Sequence, residues 1–76
     1  MVGVADSPPL VARRIQEIRI AKKLSRQQLA ERVGTTYLQI YRIETGVTEV
    51  AADAVPDFAR ALEVSVASFY RDRAAS

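Results

Sequence analysis

Apolar residues at Val11, Ile15 and Ile18, with Leu24 beyond them, recur at helical spacing between charged positions. The pattern predicts an amphipathic helix from Pro9 to about Lys23, with Leu24 anchoring the connection that follows. Ser25, followed three residues later by Gln28, fits a capping box, in which the hydroxyl and the amide satisfy backbone N–H groups that a helix start leaves orphaned. A second helix therefore starts at Arg26. Its stripe of Leu29, Ala30 and Val33 is narrow, and Gly34 supplies the residue most tolerant of the left-handed backbone that ends helices. Thr36 is then the N-cap of a third helix over Tyr37–Thr45, closed by Gly46. Two short helices joined through so tight a turn predict a helix-turn-helix.

Past a loop at 47–52, Asp53 is the expected cap of a fourth helix running from Ala54 to Leu62. Pro56 falls in its first turn, where the backbone N–H has no intrahelical acceptor and the missing donor costs little. Phe58, Ala59 and Leu62 form its buried stripe, and Val64 packs behind them. Ser65 opens a last short helix carrying Val66, Phe69 and Tyr70. Residues 1–8 have no periodicity and read as a disordered arm, followed by a folded domain at 9–72 and a tail at 73–76. No repeat or strand is read, so the expected fold is all-α, a compact five-helix bundle.

Length and composition narrow the chemistry. Seventy-six residues leave room for one small core, and the sequence contains no His and no Cys. Imidazole bases, thiolate nucleophiles and the usual zinc ligands are therefore absent, and only carboxylates remain for any metal. Asp53 with Asp57, or Glu17 with Glu31, have the spacings that solvated faces produce routinely, and no nucleophile–base pair exists. Most enzymes are excluded and catalysis is the least expected role; neither metal nor cofactor is expected. No apolar run approaches the roughly 20 residues of a membrane span, and the start lacks the features of a secretion signal, so a cytoplasmic address follows.

The net charge of +2 hides a lopsided distribution. Residues 1–42 carry eight cations (Arg13, Arg14, Arg19, Lys22, Lys23, Arg26, Arg32, Arg42) against three acids, whereas residues 43–76 carry three cations against six acids. The first half can face a polyanion. At about 100° per residue, Ile40 and Ile43 share one side of the third helix with Glu44 nearby; Leu38, Arg42 and Thr45 point the opposite way, with Tyr41 flanking. Such an exposed face suits a DNA major groove, which is wide enough to admit a helix. Glu44 lies beside the buried stripe and demands a cation, because an unpaired buried carboxylate costs several kcal/mol.

The segment 24–46, LSRQQLAERVGTTYLQIYRIETG, resembles the Cro and phage-repressor (XRE-like) helix-turn-helix family. Leu24-Ser25, Leu29-Ala30, Gly34, Ile40, Ile43-Glu44 and Gly46 carry the likeness. It continues without gaps through Phe58-Ala59-Arg60-Ala61-Leu62 and Val64-Ser65, and covers about 60 of the 76 residues. It implies the lambda-repressor-like bundle, a structural ion pair between Arg19 and Glu44, and a DNA phosphate beside Arg26, where many relatives carry Gln.

The same resemblance implies base reading by Thr36, Tyr37, Leu38 and Arg42, with Tyr41 at the flank. Gln39, Lys22 and Lys23 are the further candidates for backbone phosphates. A guanidinium bound to guanine is the sharpest of these expectations; Leu38 can offer only apolar contact to a thymine methyl. The chain departs from the family at Val47-Thr48-Glu49-Val50, a loop often basic in relatives but here without a cation. Val66 and Tyr70 are the expected homodimer surface, with Phe69 assigned to the core. The expected function is a transcriptional regulator that occupies a double-stranded operator as a homodimer, repression being the default. The alternative is a protein-interaction module or an antitoxin- or controller-type adaptor that turns the same helix face to a protein partner.

Overall fold

Ile15, Leu29, Ile40, Leu62 and Phe69 meet in the interior, each fully buried, although they lie far apart in the sequence. The computed structural model describes residues 9–70. The arm expected at 1–8, the last two residues of the expected domain and the tail at 73–76 lie outside the described residues. The elements are α1 (Leu10–Ala21), α2 (Arg26–Val33), α3 (Tyr37–Glu44) and α4 (Val55–Leu62), with 3-10 turns at Ala52–Ala54 and Val66–Phe69. Among the described residues there is no strand.

Local chemistry fixes the two helices of the central motif. Ser25 Oγ accepts from the Gln28 N–H at 3.0 Å, while Gln28 Oε1 accepts from the Ser25 N–H at 2.8 Å. Gly34 ends α2 in the left-handed conformation at φ 92°, and Thr36 Oγ1 caps α3 by accepting from the Gln39 N–H at 3.1 Å. With only eight residues in α2, one cap is a sizeable share of its hold. Ser25→Ala is expected to cost about 1 kcal/mol and to lower the melting midpoint by roughly 4–8 °C. A thermal melt by circular dichroism checks this.

The count of five helices is corrected. Residues 66–69 form a 3-10 turn, held by the Ser68 N–H on Ser65 O (3.0 Å) and the Tyr70 N–H on Ala67 O (3.1 Å). So short a segment closes with i→i+3 bonds instead of growing into an α-helix. Asp53 does not cap α4. It sits inside the Ala52–Ala54 turn, and Ala54 takes the N-cap position without a side-chain hydrogen bond. The first helix stops at Ala21, short of Lys23, because Lys23 itself adopts φ 61°.

All four α-helices end in the same six-residue closure, in which the sixth N–H returns to the first carbonyl. The pairs are Leu24 to Arg19 (3.1 Å), Thr35 to Ala30 (2.9 Å), Val47 to Arg42 (2.9 Å) and Val64 to Ala59 (3.0 Å). Gly34 and Gly46 take the left-handed position in two of them, but Lys23 and Glu63 take it in the other two. Arg side chains then tie the elements together. Arg14 Nε donates to Ser68 O at 3.0 Å, holding the last turn on α1, and Arg32 Nη1 donates to Ala61 O at 3.3 Å, joining α2 to the end of α4. This frame holds α3 across α1 and α2.

Candidate nucleic-acid interface

Burial sorts α3 into two faces. Ile40, Ile43 and Glu44 are buried, while Thr36, Tyr37, Leu38, Tyr41, Arg42 and Thr45 are exposed. Tyr37, Leu38 and Tyr41 are 47%, 50% and 43% exposed. For two rings and a leucine in so small a fold, that is a large share of apolar surface left open to solvent. Arg42 stands among them and forms no ion pair among the described residues. Thr36 Oγ1 already accepts the α3 capping bond, but a hydroxyl can still donate outward. Thr45 turns its hydroxyl back onto Tyr41 O at 2.8 Å.

Glu44 is the centre of the charged chemistry. Its side chain is fully buried, and Arg19 grips it bidentately, Nε to Oε2 at 2.7 Å and Nη2 to Oε1 at 3.0 Å. Arg19 also donates to Leu24 O at 2.8 Å, so one guanidinium holds α3 and the α1–α2 connection. Arg26 Nε reaches the same Oε1 at 2.9 Å. Its hydrogen bond to Glu44 raises the Arg26 pKa above its ordinary value; burial opposes the shift and the Tyr37 side chain adds to it.

Arg26 thus has a partner that sequence spacing does not foresee. Its guanidinium carbon lies 5.2 Å from the centroid of the Tyr41 ring, and Tyr41 in turn stacks with Tyr37 at 6.4 Å with 19° between ring planes. Its side chain is one quarter exposed. Lys22 and Lys23 are exposed in the connection that leads directly into α2. Gln39 is half-buried and lines a shallow cleft with Val33, Thr35 and Ile43, a different environment from the open one around Leu38.

Val66 and Tyr70 are 39% and 56% exposed, whereas Phe69 is fully buried. Tyr70 lines a groove of about 500 Å³ with Pro9, Val11, Val50 and Val55. None of the exposed α3 residues borders it. In the loop after α3, Val47 is 74% exposed and Glu49 is also on the surface, so no positive charge extends the α3 face in that direction. Among the described residues no group of three or more acidic side chains could hold a metal ion. No helix among them is long and apolar enough to cross a membrane.

The model of the Helix-turn-helix family matches residues 15–69, most of the chain and all of α2 and α3. The chain belongs to the XRE-like helix-turn-helix family. An uncharacterized transcriptional regulator in the ATPase CF(0) region of Rhodospirillum rubrum is 34% identical over 62 residues, covering 82% of this chain and 57% of the relative. The uncharacterized HTH-type transcriptional regulator y4wC of Sinorhizobium fredii is 32% identical, covering 82% and 43%. The chain spans about half the length of these curated relatives.

Solved structures agree on the fold. The restriction-modification controller protein C.AhdI of Aeromonas hydrophila superposes with a TM-score of 0.74 at 27% identity, covering 79% of this chain and 91% of that one. The clp gene regulator ClgR of C. glutamicum gives 0.76 at 23% identity, covering 80% and 79%, and at that identity the likeness is one of fold alone. Within this XRE-like domain, α3 is the second helix of the motif, the one whose outer face stays open.

Proposed function

We propose that this chain reads duplex DNA by placing the outer face of α3 in the major groove, and that it regulates transcription by occupying an operator as a homodimer. The observation that carries this reading is the division of α3, with Ile40, Ile43 and Glu44 inside and Tyr37, Leu38, Tyr41 and Arg42 outside. Arg42 addresses guanine through a bidentate contact, Leu38 and the two rings address thymine methyl groups, and Thr36 donates at the helix start. Lys22, Lys23, Gln39 and the outer edge of Arg26 serve the phosphates, next to the N–H groups at the start of α2.

A recognition helix of eight residues touches few base pairs. Two copies joined through Val66 and Tyr70, with their α3 helices roughly 34 Å apart, reach successive major grooves on one side of the duplex. Repression follows from occupancy alone. With no cation at Val47–Val50, fewer phosphates are neutralised, so a single copy binds weakly and the salt dependence is shallow, since each contact contributes about −0.9 to the log–log slope.

Selection of bound sequences from a random duplex pool tests the whole reading. A palindromic consensus is the expected result. Arg42→Ala is expected to lose roughly 10–100-fold in discrimination at one position of each half-site. Arg60→Ala, which removes only the surface pair with Asp57, leaves binding unchanged. Retention indifferent to salt and to Arg42 would instead assign the α3 face to a protein partner.

A further inference from the structure

The surplus cation beside Glu44 has more structure than a phosphate contact needs. Arg19 alone neutralises the carboxylate and engages both of its oxygens, so the buried pair is complete without Arg26. Yet Arg26 Nε is fixed on Oε1 at 2.9 Å. That bond sets the guanidinium 5.2 Å from the Tyr41 centroid, with Tyr37 stacked on Tyr41 in turn. A buried anchor, a guanidinium and two rings therefore form one continuous chain of contacts running from the core to the open surface of α3. We propose that Arg26 is a positioning residue for base reading: it holds the Tyr41–Tyr37 pair in a single arrangement and so sets sequence preference more than overall attraction to DNA. This rests on the DNA-reading function proposed above.

The physical reason is pre-organisation. Tyr41 is exposed, and an exposed ring free to change rotamer must be ordered when it meets a base, which weakens the contact and blurs its selectivity. Cation–π attraction and ring stacking do that ordering in advance. Only Arg fits the task, because its planar group can donate to a carboxylate through Nε while presenting its flat face to a ring. The point charge of Lys cannot do both.

Arg26→Lys separates the two roles, because it keeps the charge and loses the geometry. The full chain and its selected operator are used, with a panel of operators each carrying one base change. For Arg26→Lys, discrimination at the positions read by Tyr37 and Tyr41 is expected to fall about three- to ten-fold, with the salt slope unchanged. In a Tyr41→Ala background the same substitution is expected to add no further loss of discrimination. Proton spectra of the free protein are expected to show the Tyr41 ring resonances moving toward averaged values in Arg26→Lys, with the core signals of Ile40 and Leu62 intact. That readout also establishes that the variant is folded.

An Arg26→Lys chain that discriminates as the parent does overturns the inference. So does an even loss across all operators, or a loss additive with Tyr41→Ala. If the parent selects no DNA at all, the DNA-reading function fails first, a result distinct from any of these. Should Arg26→Lys fail to fold, Arg26→Gln with the same operators replaces it; an even loss together with a slope flattened by about 0.9 then identifies a plain phosphate contact and overturns the inference.

Discussion

Glu44→Ala is expected to destabilise the chain by about 3–5 kcal/mol, because it strands Arg19, 8% exposed, without its counter-charge. Small domains hold roughly 5–10 kcal/mol in total, so this one substitution removes much of the stability. The melting midpoint should fall by at least about 12 °C, and urea titration followed by circular dichroism measures the loss directly. A shift of only a degree or two would show that water compensates the Arg19 charge. The loss comes from breaking one side of a pair, and removing both sides differs. Glu44→Leu combined with Arg19→Met, two apolar groups of similar size, should recover a good part of the stability.

Phe69→Ala is expected to cost a similar 3–5 kcal/mol, by removing a fully buried ring and leaving a cavity between α1, α4 and the last turn. Its neighbour provides the contrast. Tyr70→Ala, at a ring 56% exposed, is expected to change the stability of a single copy by less than about 1 kcal/mol. Its effect should appear in sedimentation instead, as a shift toward the single-copy mass. If the two substitutions were equally damaging to the fold, the proposed dimer surface at Val66 and Tyr70 would have no support. If Phe69→Ala were harmless, the Val66–Phe69 turn would be an appendage to the core.

Much of the fold can be read from short-range chemistry. The Ser25–Gln28 box, the Thr36 cap and the left-handed Gly34 each involve residues within a few positions of one another, and local spacing reports such features. The division of α3 is equally local, since a fixed turn per residue assigns each side chain to a face. Errors begin where several local solutions are nearly equal in energy. Lys23 and Glu63 occupy the left-handed position that glycine signals elsewhere, so α1 ends without its usual marker. At residues 52–54 a 3-10 turn displaces the cap expected of Asp53.

The meeting of Arg26, Glu44 and Tyr41 belongs to another category. Arg26 and Glu44 are eighteen residues apart on different helices, and no periodicity within either helix relates them. That Glu44 lacks a partner on its own helix is visible in the sequence. Which guanidinium answers it, and whether one or two do, depends on how α2 crosses α3. The family pattern supplies Arg19 for that place but gives no reason to send Arg26 there, because the residue more common in relatives carries no charge. The clue available in advance was the substitution of a cation at a position one turn-connection away from an aromatic pair.

The burial of Glu44 also settles how α3 is seated. Apolar side chains such as Ile40 and Ile43 would tolerate a modest roll of the helix about its axis, trading one greasy contact for another. A carboxylate clasped from α1 and α2 at once tolerates none, for any roll pulls it off two donors while still shut away from water. The acidic group thus acts as a key in a lock, allowing one angular setting. Whatever meets the outer surface of that helix therefore meets Leu38 and Arg42 at a fixed bearing to the rest of the molecule.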